Sequence, residues 1–199
     1  MIPKYVCLVS EDDVSEAVLH RLVGVHAREL SVYSSRTTGG FGQMQKNILA
    51  FNNAAKGLPY IVLADLDNHE CVPALVADWF GPHTQHPDLC FRVAVREVEA
   101  WLLADRDGMS DFLGVQVNLV PQNPDSIADP KAALIAVARR CRVRKVREAI
   151  VPLGTAQVGP DYNGEVGRFV RDCWNIERAC INSVSLQKAQ RRIAELVSS

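Results

Sequence analysis

A chain of 199 residues with 48% hydrophobic and 23% charged side chains has the make-up of a globular protein, of a length that suits one domain or one domain with an appended helical piece. No apolar run approaches the roughly 20 residues of a membrane span, and the start Met1-Ile2-Pro3-Lys4 has no signal-peptide pattern, which points to a cytoplasmic address without membrane partners. The net charge of -1 conceals a split: residues 1–100 carry 8 Lys/Arg against 12 Asp/Glu, and residues 101–199 carry 14 against 11. An acidic front half with a basic back half suits a metal-centred site beside a surface that tolerates phosphates.

Cys7, Cys71, Cys90, Cys141, Cys173 and Cys180 are scattered without a Cys-x-x-Cys pair, so they read as reduced thiols rather than a disulfide framework. Cys7 and Cys90 fall inside expected core strands. His69, Cys71, His83 and His86 can be assembled into a zinc site on paper, but their spacing matches none of the usual arrangements.

Tyr5 to Val9 is a first buried strand that runs directly into acid, Ser10-Glu11-Asp12-Asp13. Ser10 or Asp12 can cap the amphipathic helix expected over Ser15 to Val23, because carboxylates favour a helix's positive end. Arg28 to Ser34 is a weaker strand candidate. The loop Ser35-Arg36-Thr37-Thr38-Gly39-Gly40-Phe41-Gly42 then opens a helix from about Gln43 to Ala55; its glycines do not form a phosphate-binding P-loop.

Tyr60-Ile61-Val62-Leu63-Ala64 reads as a strand buried on both faces, as strands of parallel sheets usually are, and it ends in Asp65-Leu66-Asp67-Asn68. Ligands of open α/β sheets bind beyond the carboxyl ends of such strands. Asp65 and Asp67 can converge on one cation only if the chain there leaves the regular pleat, since a strict strand sends both to the same face. At about 4 Å they would repel by roughly 4 kcal/mol at an effective dielectric near 20, unless a cation or proton intervenes. A hard divalent ion with oxygen ligands is one remedy; an Asp-rich turn making local backbone bonds is the alternative.

A helix follows over Val72 to Phe80, then a loop from Gly81 to Pro87. Cys90 to Arg96 is the last strand, and it too ends in acid, Glu97-Val98-Glu99. If Glu97 begins a helix, Glu97 and Glu99 lie about 200° apart and only one faces the strand ends, with Arg96 able to neutralise either. Beyond Asp107 the texture changes. Gly114 to Asp129 is turn-rich, Asp129-Pro130-Lys131 opens a helix through Ala138, and Glu165 to Trp174 and Leu186 to Val197 are further helices. Arg139, Arg140, Arg142, Arg144, Lys145 and Arg147 form a basic cluster that can contact nucleic acid, remain a solvated face, or pair with the acidic front half.

Acid at the ends of three strands, Glu11, Asp65 with Asp67, and Glu97 with Glu99, resembles the Toprim fold. The segments Leu8-Val9-Ser10-Glu11-Asp12, Val62-Leu63-Ala64-Asp65-Leu66-Asp67 and Arg96 to Asp105 look like a bacterial Toprim-like family related to the overcoming-lysogenization-defect type of nucleases. So do Asp129-Pro130-Lys131, Gly159 to Asn163 and Ser183 to Leu186. The resemblance implies an α/β fold with a mainly parallel central sheet flanked by helices and a mostly helical C-terminal part, divided into a core over 1–106 and an extension over 107–199. It implies Mg²⁺ (or Mn²⁺) held by Glu11, Asp65 and Asp67, with Glu16, Glu97 and Glu99 as further ligand candidates.

The same resemblance makes Glu11 a ligand or acid/base and Lys131 a group that stabilises developing charge. The implied activity is phosphodiester hydrolysis of DNA or RNA, beside a separate ATPase partner. A non-catalytic regulatory subunit of the same fold and a small-molecule phosphohydrolase are the alternatives. The family's first motif is Glu-Gly with a second acid four residues after the Glu. Here Asp12 replaces Gly, Ser15 takes the fourth position and Glu16 follows it, so the role of Glu16 stays open.

Overall fold

The computed structural model describes residues 3–198; Met1 and Ile2, part of the N-terminal stretch read for a signal peptide, and Ser199 lie outside them. Two compact units make up the chain, one ending at Val95 and resuming at Lys188, the other Arg96–Gln187. The expected division at 106/107 falls past the first of these junctions, and the second junction lies inside the terminal helix.

The first unit is built on four strands: β1 (Lys4–Ser10), β2 (Leu30–Thr37), β3 (Tyr60–Asp65) and β4 (Leu89–Ala94). They form one parallel sheet in the order β2-β1-β3-β4. This is the expected α/β architecture, a parallel central sheet flanked by helices. The inner strands are apolar because helices cover them on both faces. Between them run α1 (Asp13–Gly24), α2 (Phe41–Ala54) and α3 (Val72–Phe80). Helix α1 buries Val14, Val18, Leu19, Leu22 and Val23. Helix α2 packs Met44, Ile48 and Phe51 into a core with Val9, Val62, Leu75, Trp79 and Phe91, residues spaced by four and three so that they share one helical face.

Asp12 caps α1 as expected, accepting from the Ser15 N–H at 2.8 Å. The α3 limits coincide with those read from the sequence, whereas β2 starts and ends later than expected. As an edge strand with the burial of only Leu30 complete, β2 gives a weak apolar signal.

The second unit is helical: α4 (Val98–Ala104), α5 (Arg106–Leu113), α6 (Pro130–Ala138), α7 (Arg144–Ile150), α8 (Tyr162–Asp172) and α9 (Ile176–Asn182), with α10 (Val184–Ser198) beginning in it. Every residue of α4 is buried. The indole N–H of Trp101 donates to Ser185 Oγ at 2.6 Å, and that of Trp174 to the Trp101 carbonyl at 3.2 Å. Asp129 caps α6 through the Ala132 N–H at 2.7 Å, with Pro130 in its first turn. All six cysteines are free, and Cys7 and Cys90 are buried as expected. Among the described residues no helix is long and apolar enough to cross a membrane.

Candidate functional site at the strand ends

The strand order fixes where a ligand can sit. After β1 the chain goes to one side of the sheet to form β2, and it then crosses back to the other side of β1 to form β3. The crevice beyond the carboxyl ends of β1 and β3 is therefore the topological switch point of the sheet, the usual binding position in open α/β folds. Glu11 follows β1 directly, and Asp65 is the last residue of β3.

The two are joined. The Asp65 N–H donates to Glu11 Oε1 at 2.9 Å. Asp65 is 9% exposed. Just beyond it the chain leaves the pleat: Leu66 donates its N–H to the Ala94 carbonyl at 2.9 Å, and Asp67 adopts φ 47°. Asp67 is the one non-glycine residue in the left-handed region among the described residues. That conformation costs an L residue roughly 1 kcal/mol, least for Asp and Asn, and such strain concentrates at functional sites. The departure from the pleat that convergence of Asp65 and Asp67 requires is thus present.

The remaining expected carboxylates have other partners. Glu16 on α1 accepts from Ser35 Oγ on β2 at 2.5 Å. In the second unit, Glu97 Oε2 accepts the Lys131 N–H at 2.9 Å, and the Lys131 ammonium stands 3.6 Å from Glu99 and 4.0 Å from Glu97. Both glutamates reach the same cation because Glu97 is extended, with φ -138° and ψ 161°, and only precedes α4. The expected 200° separation holds between residues inside one helix and does not apply; Lys131 is a cation that both glutamates share. Glu97 and Lys131 also line a cleft of about 580 Å³ with Ile135, Arg139, Pro152 and Val158.

Glu99 is 1% exposed. Tyr162 donates its hydroxyl to Oε1 at 2.9 Å, while Oε2 is buried with no hydrogen-bond partner among the described residues. Burial pushes this carboxyl up to about 7, against the pull of Lys131 and with a push from Glu97. The folded state then holds the proton more tightly than the unfolded one. The stability this gives is complete below the ordinary carboxylate range and is lost as pH rises through about 7. For a fully buried group the shift corresponds to about 3 kcal/mol. Glu99→Gln should therefore remove that part of the pH dependence, so melting curves from pH 4.5 to 8 should show the variant gaining on the wild type as pH rises. A constant difference across the range would contradict the assignment.

Tyr162 was not legible as a partner of Glu99: its surroundings, Gly159 to Gly164, read only as a turn before a helix. The basic cluster divides between the turn after α6 and the start of α7. Arg144 pairs with Glu148 at 2.7 Å and Arg147 donates to the Cys141 carbonyl at 2.8 Å, while Arg139, Arg140, Arg142 and Lys145 are exposed. Among the described residues no three His, Cys, Asp or Glu side chains are gathered closely enough to form a ready-made metal cage, the paper zinc set included.

No family model matches the chain. No curated protein matches it either. Among solved structures, it is similar to the C-terminal region of the Burkholderia pseudomallei OLD protein, with 13% identity over 99% of this chain and 100% of that one and a TM-score of 0.46. It is also similar to the C-terminal region of the Xanthomonas campestris pv. campestris OLD protein, with 13% identity over 98% of this chain and 94% of that one and a TM-score of 0.46. Likeness at this level transfers no residue role.

Proposed function

We propose that the chain is a nuclease, a Toprim-like module that hydrolyses phosphodiester bonds of DNA or RNA with Mg²⁺ or Mn²⁺ bound by Glu11, Asp65 and Asp67. The observation that carries this reading is the Glu11–Asp65 junction at the switch point of the sheet. The donor set fits the ion. Mg²⁺ keeps several of its waters and is typically held by one or two carboxylates together with substrate phosphates, so it needs no three-residue cage. When bound, such an ion supplies charge for a phosphodiester oxygen and lowers the pKa of a water.

The chain's own residues do the rest. The Asp65 amide fixes the Glu11 carboxylate, which can hold a cation or take a proton from water. The turn at Asp67 sends a second carboxylate away from the pleat. Lys131 and the exposed arginines after α6 belong to the same proposal as cations for phosphates, and a separate ATPase partner remains part of it. The departure of the first motif, with Asp12 in place of Gly and Ser15 in place of the second acid, favours a second reading, a non-catalytic binding subunit.

Titration with Mn²⁺ followed by electron paramagnetic resonance tests the ion. One bound Mn²⁺ per chain, weakened about tenfold or more by Glu11→Gln, is expected; no binding at millimolar Mn²⁺ sinks the proposal. The turn has its own check. Asp67→Gly and Asp67→Ala both lose the carboxylate, but only alanine pays for a positive φ, so the glycine variant should be more stable by about 1 kcal/mol in urea unfolding. Equal stability of the two would contradict the strained turn.

A further inference from the structure

The edge of the sheet carries a feature that metal chemistry does not use. The pairing of β2 with β1 slips between Val6 and Cys7: Val6 faces Val32 and Cys7 faces Ser34, leaving Tyr33 as the extra residue of a bulge. Bulges at sheet edges re-aim a side chain. Here the ring of Tyr33 meets that of Tyr5 edge to face, with centroids 6.3 Å apart and planes at 82°. Neither ring belongs to the core, since Tyr5 is 49% and Tyr33 70% exposed. Farther along the same strand Arg36 is exposed, its guanidinium 4.7 Å from the centre of the Phe51 ring.

Charge selects among the partners such a surface can take. In the acidic half of the chain there is no Asp or Glu between Glu29 and Asp65, and residues 30–64 carry Arg36, Lys46 and Lys56. That stretch contains β2 and α2 entire. A protein partner also favours tyrosine and arginine, but a segment that carries three cations and no acid of its own, with the neighbouring Glu16 tied to Ser35, favours a polyanion. The strand also leads to the candidate site: at its far end the Thr38 N–H donates to the Ser10 carbonyl at 2.9 Å and the Gly39 N–H to the Glu11 carbonyl at 3.2 Å.

We propose that the β2 edge is a docking platform for single-stranded nucleic acid, with bases stacking on Tyr33 and Tyr5 and phosphates facing Arg36. Stacking needs a base whose flat face is open. A duplex hides those faces, whereas single strands splay them onto aromatic side chains in a sequence-tolerant way. From Tyr5 to Glu11 along β1 is roughly 20 Å at the rise of a strand, a span of several nucleotides. The inference deepens the nuclease reading by naming its substrate class, and it rests on that reading only for the direction of the strand toward Glu11.

The test is binding of the full chain to fluorescein-labelled oligo(dT) and oligo(U) of 15 nucleotides and to a duplex of equal length, read by fluorescence anisotropy in EDTA so that no cleavage intervenes. The single strands should bind tighter than the duplex. Tyr33→Ala should weaken single-strand binding by about fivefold or more and leave duplex binding unchanged, from the worth of one stacked base, while Tyr33→Phe should stay within about twofold. Because Tyr33 is an exposed side chain, the alanine variant should melt with the wild type, which excludes unfolding as the cause. Single-strand binding unchanged by Tyr33→Ala overturns the proposal. So does a duplex bound as tightly as the single strands, or a Tyr33→Ala variant whose one change is dissociation of a dimer in sedimentation, which would make the edge a protein interface. A chain that binds through Tyr33 yet never cleaves keeps this inference and defeats the nuclease reading; one that cleaves with binding indifferent to Tyr33 does the reverse.

Discussion

Asp105→Ala should lower the unfolding free energy by about 3 kcal/mol, the cost of leaving buried donors unpaired together with a lost ion pair. Asp105 is fully buried at the junction of α4 and α5. Its Oδ1 accepts from the Gly108 N–H at 3.2 Å and from Arg178 Nε at 2.7 Å, and its Oδ2 from the Asn175 N–H at 2.7 Å and the second Arg178 nitrogen at 3.1 Å. One carboxylate thus caps α5 and ties it to the start of α9. Alanine leaves the two amides without an acceptor, while Arg178, 45% exposed, can turn to water. That solvation keeps the loss at the low end of the cost of breaking a buried pair. In thermal melts a chain of this size should lose about 6–12 °C. A loss under about 2 °C would mean that the junction is held by apolar packing around Trp101 and Trp174 instead.

Sequence made the first unit readable because its inner strands are continuous apolar runs, a pattern imposed by burial on both faces. The acids after β1 and β3 mark strand ends, which places Glu11 and Asp65 together on sequence grounds. Features that depend on a partner distant in the chain were not readable. The bulge at Tyr33 exists only in the register of β2 against β1, and the Tyr5–Tyr33 pair joins residues 28 positions apart. Glu97 and Glu99 share Lys131 across a separation of more than thirty residues, which no spacing within one helix can show. Helices α5, α7 and α9 have eight, seven and seven residues. At that length tertiary packing rather than periodicity decides the helix, and the basic run before α7 read as charge alone.

Asp65→Asn is the variant with the largest expected effect on activity. It keeps the volume of the side chain and the backbone N–H that holds Glu11, so the strand end should stay folded. What it removes is one anionic oxygen donor at the switch point. A bound divalent ion is worth several kcal/mol of transition-state stabilisation, so cleavage should fall on the order of 10²-fold or more. Melting within a few degrees of the wild type would show that the loss is chemical.

The most direct measurement is therefore cleavage of end-labelled single-stranded DNA and RNA by the wild type and by Asp65→Asn, each with Mg²⁺, with Mn²⁺ and with EDTA. Products are expected from the wild type with either metal and none with EDTA, with a loss of at least about two orders of magnitude in the variant. Absence of cleavage by the wild type, or equal cleavage by the wild type and Asp65→Asn, would contradict the nuclease reading.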